Sequence, residues 1–282
     1  MQYRKATHHD TPALVALWQQ VFGDDVGLIT NCLQLFAGQG NVYVAQNSQG
    51  VCAQLLAVPC NIKECKGFYL YALATNPAVQ GQGVMSALMQ YAETQFTQSD
   101  AQFCALIPAN PPLFAFYAKR GYTQQTRLCH FRVYNNELAA SPIKPTVGQI
   151  SPQMFAALRN KHIPAPFMAF DAQRYAMVLD DIEAQGGGTV YCNNGYALFL
   201  PTQNDVLIPE IFADDELGMA ALLRAVFKQT KAQSLQVTAA PQQAFAAPLG
   251  PGGQQPFAML KPLQGWVPAQ NLYIRMALEE FT

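Results

Sequence analysis

Charge is scarce in this chain of 282 residues: only 12% are Asp, Glu, Lys or Arg, about half the share of an average globular protein. The 17 basic and 18 acidic side chains balance to a net charge of -1, with no Lys/Arg run. That removes the electrostatic footprint that nucleic-acid binding needs, so nucleic acid is not expected as a partner. The seven cysteines include no Cys-x-x-Cys pair, and neither they nor the four histidines fall at metal-ligand spacing. Reduced thiols of a cytoplasmic protein, and no metal, are expected. The N-terminus lacks the apolar core of a signal peptide. The uncharged stretch 68–92 carries Asn76, Pro77, Gln80, Gly81, Gln82 and Gly83 in its middle, where a membrane span would be most apolar, so no membrane partner is read either.

Half of the residues are hydrophobic, which excludes disorder along the main chain. At roughly 150 residues per domain, the length suggests two domains. In the first half, residues 3–6, 42–45, 51–60, 68–75, 103–107 and 122–134 read as strands. Asp10-Thr11-Pro12 opens a helix that ends near Gly23, and residues 26–36, the stretch from 84 and residues 111–120 read as helices. A linker-like segment follows at 140–145. Beyond it come a helix from Ser151-Pro152, a hairpin 189–192/196–200, a strand 206–212, a helix 216–228, a strand 235–238 and closing strands 257–260 and 272–278. The second half thus repeats the element order of the first, which favours a duplicated α/β (α+β) domain with a boundary near 140.

The most informative segment is Leu73-Ala74-Thr75-Asn76-Pro77-Ala78-Val79-Gln80-Gly81-Gln82-Gly83-Val84-Met85. A strand leading through glycines straight into a helix leaves first-turn N–H groups unpaired and converging beside the positive end of the helix dipole, which makes an anion site. The third glycine of a dinucleotide fingerprint is missing, and no Gly-Lys-Ser/Thr follows to make a P-loop.

Gln80-x-x-Gly83-x-Met85 resembles the Gln/Arg-x-x-Gly-x-Gly/Ala diphosphate loop of the GCN5-related N-acetyltransferase (GNAT) superfamily. Asn110, followed seven residues later by Tyr117 and then by Gly121-Tyr122, is similar to that superfamily's second motif. The resemblance covers about residues 1–135. The tandem arrangement resembles the first two domains of enhanced-intracellular-survival type acetyltransferases, without their third domain. It implies two tandem GNAT-like domains, 1–140 and 141–282, each a central mixed sheet flanked by helices, the second degenerate.

By the same resemblance, acetyl-coenzyme A is the cosubstrate and a primary amine on a small molecule or peptide is the acceptor, attacked directly. Backbone groups of Leu73, Ala74 and Thr75 would meet the pantetheine arm and acetyl carbonyl. N–H groups of Gln80, Gly81, Gln82, Gly83, Val84 and Met85 would hold the diphosphate. Asn110 would bond the pantetheine, unless it only caps its helix. Tyr117 would protonate the departing thiolate, unless it is only a buried aromatic. Tyr69 and Tyr71 share a strand face and line the acceptor pocket or belong to the core. Met85 is bulkier than the family's Gly or Ala. Residues 69–73 carry no carboxylate, so the general base is relayed through water from elsewhere or is the C-terminal carboxylate of Thr282.

In the second half, Ala213-Asp214-Asp215-Glu216 stands where the glycine loop would be, and its negative charge repels a diphosphate. Asp24-Asp25 and Asp180-Asp181 read as solvated helix-end charges. The rival readings are a non-catalytic acetyl-coenzyme A-binding or regulatory module and an interaction protein, and a homo-oligomer stays open.

Overall fold

The computed structural model describes residues 1–38, 40–202, 205–243 and 253–275. The first half runs β1 (Gln2–Lys5), α1 (Thr11–Phe22), α2 (Val26–Asn31), β2 (Val42–Asn47), β3 (Gly50–Ile62), β4 (Cys65–Thr75), α3 (Val84–Gln98), β5 (Phe103–Leu106), α4 (Pro111–Ala118) and β6 (Thr123–Tyr134). The second runs β7 (Thr146–Gly148), α5 (Pro152–His162), β8 (Met168–Ala169), α6 (Ala172–Ala184), β9 (Gly188–Cys192), β10 (Gly195–Pro201), β11 (Val206–Ile208), β12 (Ile211–Ala213), α7 (Glu216–Thr230), β13 (Ser234–Ala239) and β14 (Gly253–Pro262).

Local chemistry accounts for the ends of the elements. Proline in its first turn starts α1, and Gly23 stops it in the left-handed region at φ 82°. Ser151 and Asp171 cap α5 and α6 through their side chains. Asn193 and Asn194 form the two-residue turn between β9 and β10.

All strands among the described residues join one mixed sheet, in the order β1-β2-β3-β4-β5-β14-β6-β13-β11-β10-β9-β7, with β12 beside β10 and β8 beside β3. The order reads alike from both edges. In each half a crossover helix links a parallel pair, α3 between β4 and β5 and α7 between β11 and β13. At the centre the halves exchange strands: β6 pairs with β13, β14 pairs with β5, and β6 and β14 pair with each other. The exchange gives β5 a partner on the side it would otherwise expose as an edge.

Three cores follow. One lies between α3, α4 and the β2–β5 sheet face, and a second surrounds α7. The third joins Leu14, Trp18 and Phe36 of the first half to Phe155, Tyr175 and Tyr196 of the second. The halves therefore share a core on the face of β3 and β4 opposite α3.

Beyond the short strands β7 and β8, which have no counterpart in the sequence reading, the structure differs from it in three places. Residues 206–212 are not one strand: Pro209-Glu210 separates β11 from β12, because Pro209 has no N–H for a ladder and Glu210 is buried against Arg159. Residues 272–275 form only an isolated bridge, Phe167 to Tyr273, because Leu272 and Ile274 are tied to the Thr126 hydroxyl; residues 276–278 lie outside the described residues. Helix α6, for which the sequence reading had no element, packs Tyr175, Val178 and Ile182 inward.

Candidate active site between the diverging strands

Strands β4 and β5 are paired only over Gly67–Phe103, Phe68–Cys104 and Tyr69–Ala105. Beyond that β5 ends at Leu106, while β4 continues to Thr75, so a gap opens between them. A bulge shapes the β4 side of the gap. Leu56 faces Tyr71 and Gln54 faces Ala74, so Ala72 and Leu73 together oppose Leu55. Ala72 has φ 48°, a left-handed conformation without glycine's freedom, and such strain costs about 1–3 kcal/mol. The bulge interrupts the ladder on the β3 side, and on the other side β4 has no pairing with β5 beyond Tyr69, which leaves that edge open to the gap.

The gap is a cavity of about 440 Å³. Its walls are Leu70 to Leu73 of β4, residues 106–109 after β5, Leu113 and Tyr117 of α4, and Phe257 of β14. Its far end is made by Trp18, Phe22 and Asp24 at the end of α1.

The glycine loop stands at the end of β4. Asn76 accepts from the Ala78 N–H at 3.0 Å, and the Gln80 side chain donates back to the Thr75 carbonyl at 3.1 Å, so the loop is braced by its own amides. The Gln82 amide likewise donates to the Ala78 carbonyl at 3.4 Å. Gly81 and Gly83 have φ of 76° and 77°, and nothing lies within 4 Å of where a Cβ would stand. Gly83 is the N-cap of α3, and no side chain caps the helix. The first-turn N–H groups of Val84, Met85 and Ser86 have no partner within the helix. Val84 is buried, and the Met85 side chain packs against the core beneath α3.

Asn110 sits at the N-cap position of α4 but makes no capping bond: Pro111 and Pro112 follow it, and neither has an N–H to cap. Its side chain is exposed. Tyr117, on the last turn of α4, is 6% exposed and meets Phe116 and Tyr122 edge-on. Burial pushes its phenol up to about 12, with Arg120 pulling it the other way. The proton therefore stays on the oxygen at neutral pH.

Tyr69 and Tyr71 are 6.3 Å apart on one strand face, and the structure separates their surroundings. Tyr71 lines the cavity between Trp18 and Phe36. Burial, then Cys32, Asp24 and Asp181, raise its phenol. Tyr69 is fully buried and does not line the cavity. Ala74 is also fully buried, whereas Leu73 and Thr75 are half-buried. Thr282 lies outside the described residues.

The acidic pair 24–25, read from sequence as solvated, divides its work. Asp25 caps α2 by accepting from Gly27 N–H at 2.6 Å. Asp24 lines the cavity and accepts from Trp18 Nε1 at 2.6 Å. The signal in the sequence was Trp18, an inward-facing indole whose N–H needs an acceptor within reach. Among the described residues no group of three or more His, Cys, Asp or Glu could hold a metal ion, and no helix is long and apolar enough to cross a membrane.

The start of α7 contrasts with that of α3. Asp215 fills it with its own carboxylate, accepting from Gly218 N–H at 2.6 Å. One half therefore presents an open helix start beside a cavity, and the other a closed one.

A duplicated mixed sheet with one open glycine-started helix beside diverging parallel strands defines the class of fold, and the comparisons agree with it. Residues 2–124 match the acetyltransferase (GNAT) domain family. Among solved structures, the GCN5-related N-acetyltransferase from Kribbella flavida is 16% identical with a TM-score of 0.74, over 92% of this chain and 70% of that one. Eis1 from Mycobacterium abscessus is 12% identical with a TM-score of 0.73, over 93% and 74%. A tandem GNAT protein from the clavulanic acid biosynthesis pathway is 14% identical with a TM-score of 0.55, over 93% and 98%. No curated protein sequence matches the chain. Residues 2–124 thus match the acetyltransferase (GNAT) domain family, and the chain as a whole has the tandem GNAT fold.

Proposed function

We propose that this protein is an N-acetyltransferase that uses acetyl-coenzyme A to acetylate a primary amine, with its working site in residues 1–140. The observation that carries this reading is the meeting, at one gap, of an uncapped glycine-started helix and a cavity lined by a buried, protonated tyrosine.

The residues fit the coenzyme. The open space over Gly81 and Gly83 admits a diphosphate to the N–H groups of residues 81–85, and β4 offers backbone from Leu73 to Thr75 to an extended arm. The uncapped Asn110 side chain is free to bond the same arm. When bound, the coenzyme supplies an acyl thioester. Tyr117 holds its proton in the cavity wall, placed to protonate a leaving sulfur as general acid.

The acceptor enters from the α1 side. The Asp24 carboxylate among the rings of Trp18, Phe22 and Tyr71 suits an ammonium group, which must also lose a proton before it attacks. Asp24 therefore supplies the carboxylate that β4 lacks. The second half, 141–282, closes the shared core behind this end of the site and binds no coenzyme of its own, since Asp215 occupies the start of α7. Seven free cysteines fit a reducing, cytoplasmic setting.

The test is release of free thiol from acetyl-coenzyme A in the presence of a panel of amines, with Tyr117→Phe as the matched variant. Turnover by the wild type and a loss of about 100-fold or more in kcat in the variant are expected. Coenzyme binding without turnover on any amine would favour a regulatory module instead.

A further inference from the structure

We propose that Arg120 binds a phosphate group of the coenzyme, a role that rests on the coenzyme-binding reading above. Arg120 follows α4 and is half-buried. Its guanidinium is fixed against the start of α3: Nε donates to Ser86 Oγ at 3.0 Å, one terminal nitrogen donates to the same hydroxyl, and the other donates to the Phe116 carbonyl. Its Cζ lies 3.4 Å from the centre of the Phe116 ring. Ser86 is the third residue of α3, in the turn whose N–H groups have no partner in the helix. The end of one helix thus holds a cation on the first turn of the other.

Among the described residues no carboxylate pairs with this cation. Residues 68–92 and 111–118 contain no acidic side chain. All three nitrogens are engaged, yet a guanidinium carries five N–H groups, so two donors remain to be used. Burial lowers the guanidinium's affinity for its proton, a cost that neutral acceptors leave standing and an anion removes. The helix dipole adds positive potential at the same turn. At the start of α7, by contrast, Asp215 supplies the negative charge from the chain itself.

The test is titration calorimetry of the full chain with coenzyme A, 3′-dephospho-coenzyme A and pantetheine. Arg120→Gln is expected to weaken coenzyme A about 10- to 100-fold and to leave pantetheine, which has no phosphate, unchanged; Arg120→Lys falls between. A loss that persists with the 3′-dephospho ligand assigns Arg120 to the diphosphate, and a loss that vanishes assigns it to the 3′-phosphate; either supports the proposal. Wild-type affinity for coenzyme A in folded Arg120→Gln overturns it and leaves the acetyltransferase reading intact. Absence of coenzyme A binding by the wild type overturns both. If the Gln variant does not fold, Ser86→Ala frees the guanidinium without changing charge. It should weaken coenzyme A several-fold and spare pantetheine, and equal weakening of both ligands overturns the proposal.

Discussion

Replacing Gly83 by Glu separates ligand binding from folding, because the structure gives the new side chain room. Nothing lies within 4 Å of a Cβ at this position, so the variant suffers no packing clash. Its cost is conformational: a non-glycine residue at φ 77° loses about 1–2 kcal/mol. A carboxylate at a helix N-terminus returns about 0.3–1 kcal/mol. The net loss of about 1 kcal/mol lowers Tm by only about 2–4 °C in a chain of this size. Binding responds differently, since the carboxylate occupies the anion cradle. With acetyl-coenzyme A at about 100 times its Kd, the wild type should gain about 2.7 kcal/mol, a rise in Tm of roughly 5–10 °C. The variant should gain nothing. Thermal denaturation with and without ligand reads both effects in one experiment. A rise in Gly83→Glu as large as in the wild type would refute the cradle, and so would a folded wild type whose Tm ignores the coenzyme.

Three further outcomes test the rest of the site and its frame. Because burial raises the Tyr117 phenol from 10.0 to about 12, kcat should show no alkaline limb from this acid as pH rises through 10; a limb there, abolished in Tyr117→Phe, would count against it. The same shift sets a sign for stability: the unfolded chain sheds this proton near 10.0 while the folded chain holds it to about 12, so Tyr117 costs no stability below pH 10 and the fold weakens as pH climbs from there to about 12. Asp24→Asn keeps an acceptor for Trp18 Nε1 and removes the charge, so KM for a cationic amine should rise about tenfold or more while coenzyme affinity holds; an unchanged KM would remove Asp24 from the acceptor site. Glu210→Gln leaves Arg159 uncompensated in the core, where both partners are at most 3% exposed, and should cost about 3–5 kcal/mol, visible as a Tm lower by roughly 10 °C with the coenzyme-induced rise intact.

What the sequence revealed and what it hid divide along the range of the forces involved. The glycine loop was legible because φ of 76° and 77° at Gly81 and Gly83 demands a residue type that stands out in print. The starts of α1, α4 and α5 were legible for the same reason, each having proline just inside the first turn. The bulge at Ala72 was not, since nothing in alanine announces φ 48°; the register of β3 against β4 imposes it. The break at Pro209-Glu210 depends on Arg159, which is 51 residues away in the chain. Helix α6 was hidden by Asp180-Asp181, read as a charged end although the stripe Tyr175, Val178, Ile182 runs past it. Asp24 was misjudged because its carboxylate was considered with its neighbour Asp25, and the cavity it faces exists only once α1, β4 and α4 are assembled.

The exchanged strands explain why the chain keeps two halves while only one retains an open helix start. In an unexchanged duplication, a second half without chemistry could drift or be lost with little effect on the first. Here β14, which follows the second half's last parallel strand in sequence, covers β5 and places Phe257 in the wall of the cavity. In return, β6 leaves the first half to complete the sheet around α7. Each half is missing a strand that the other supplies, so neither has a closed core alone. Selection on the site beside α3 therefore reaches the packing of β13, α7 and β14, yet places no demand on the start of α7 beyond a good cap. Asp215 is what that freedom permits: a carboxylate that stabilises the helix by about 0.5–2 kcal/mol and forecloses an anion site there.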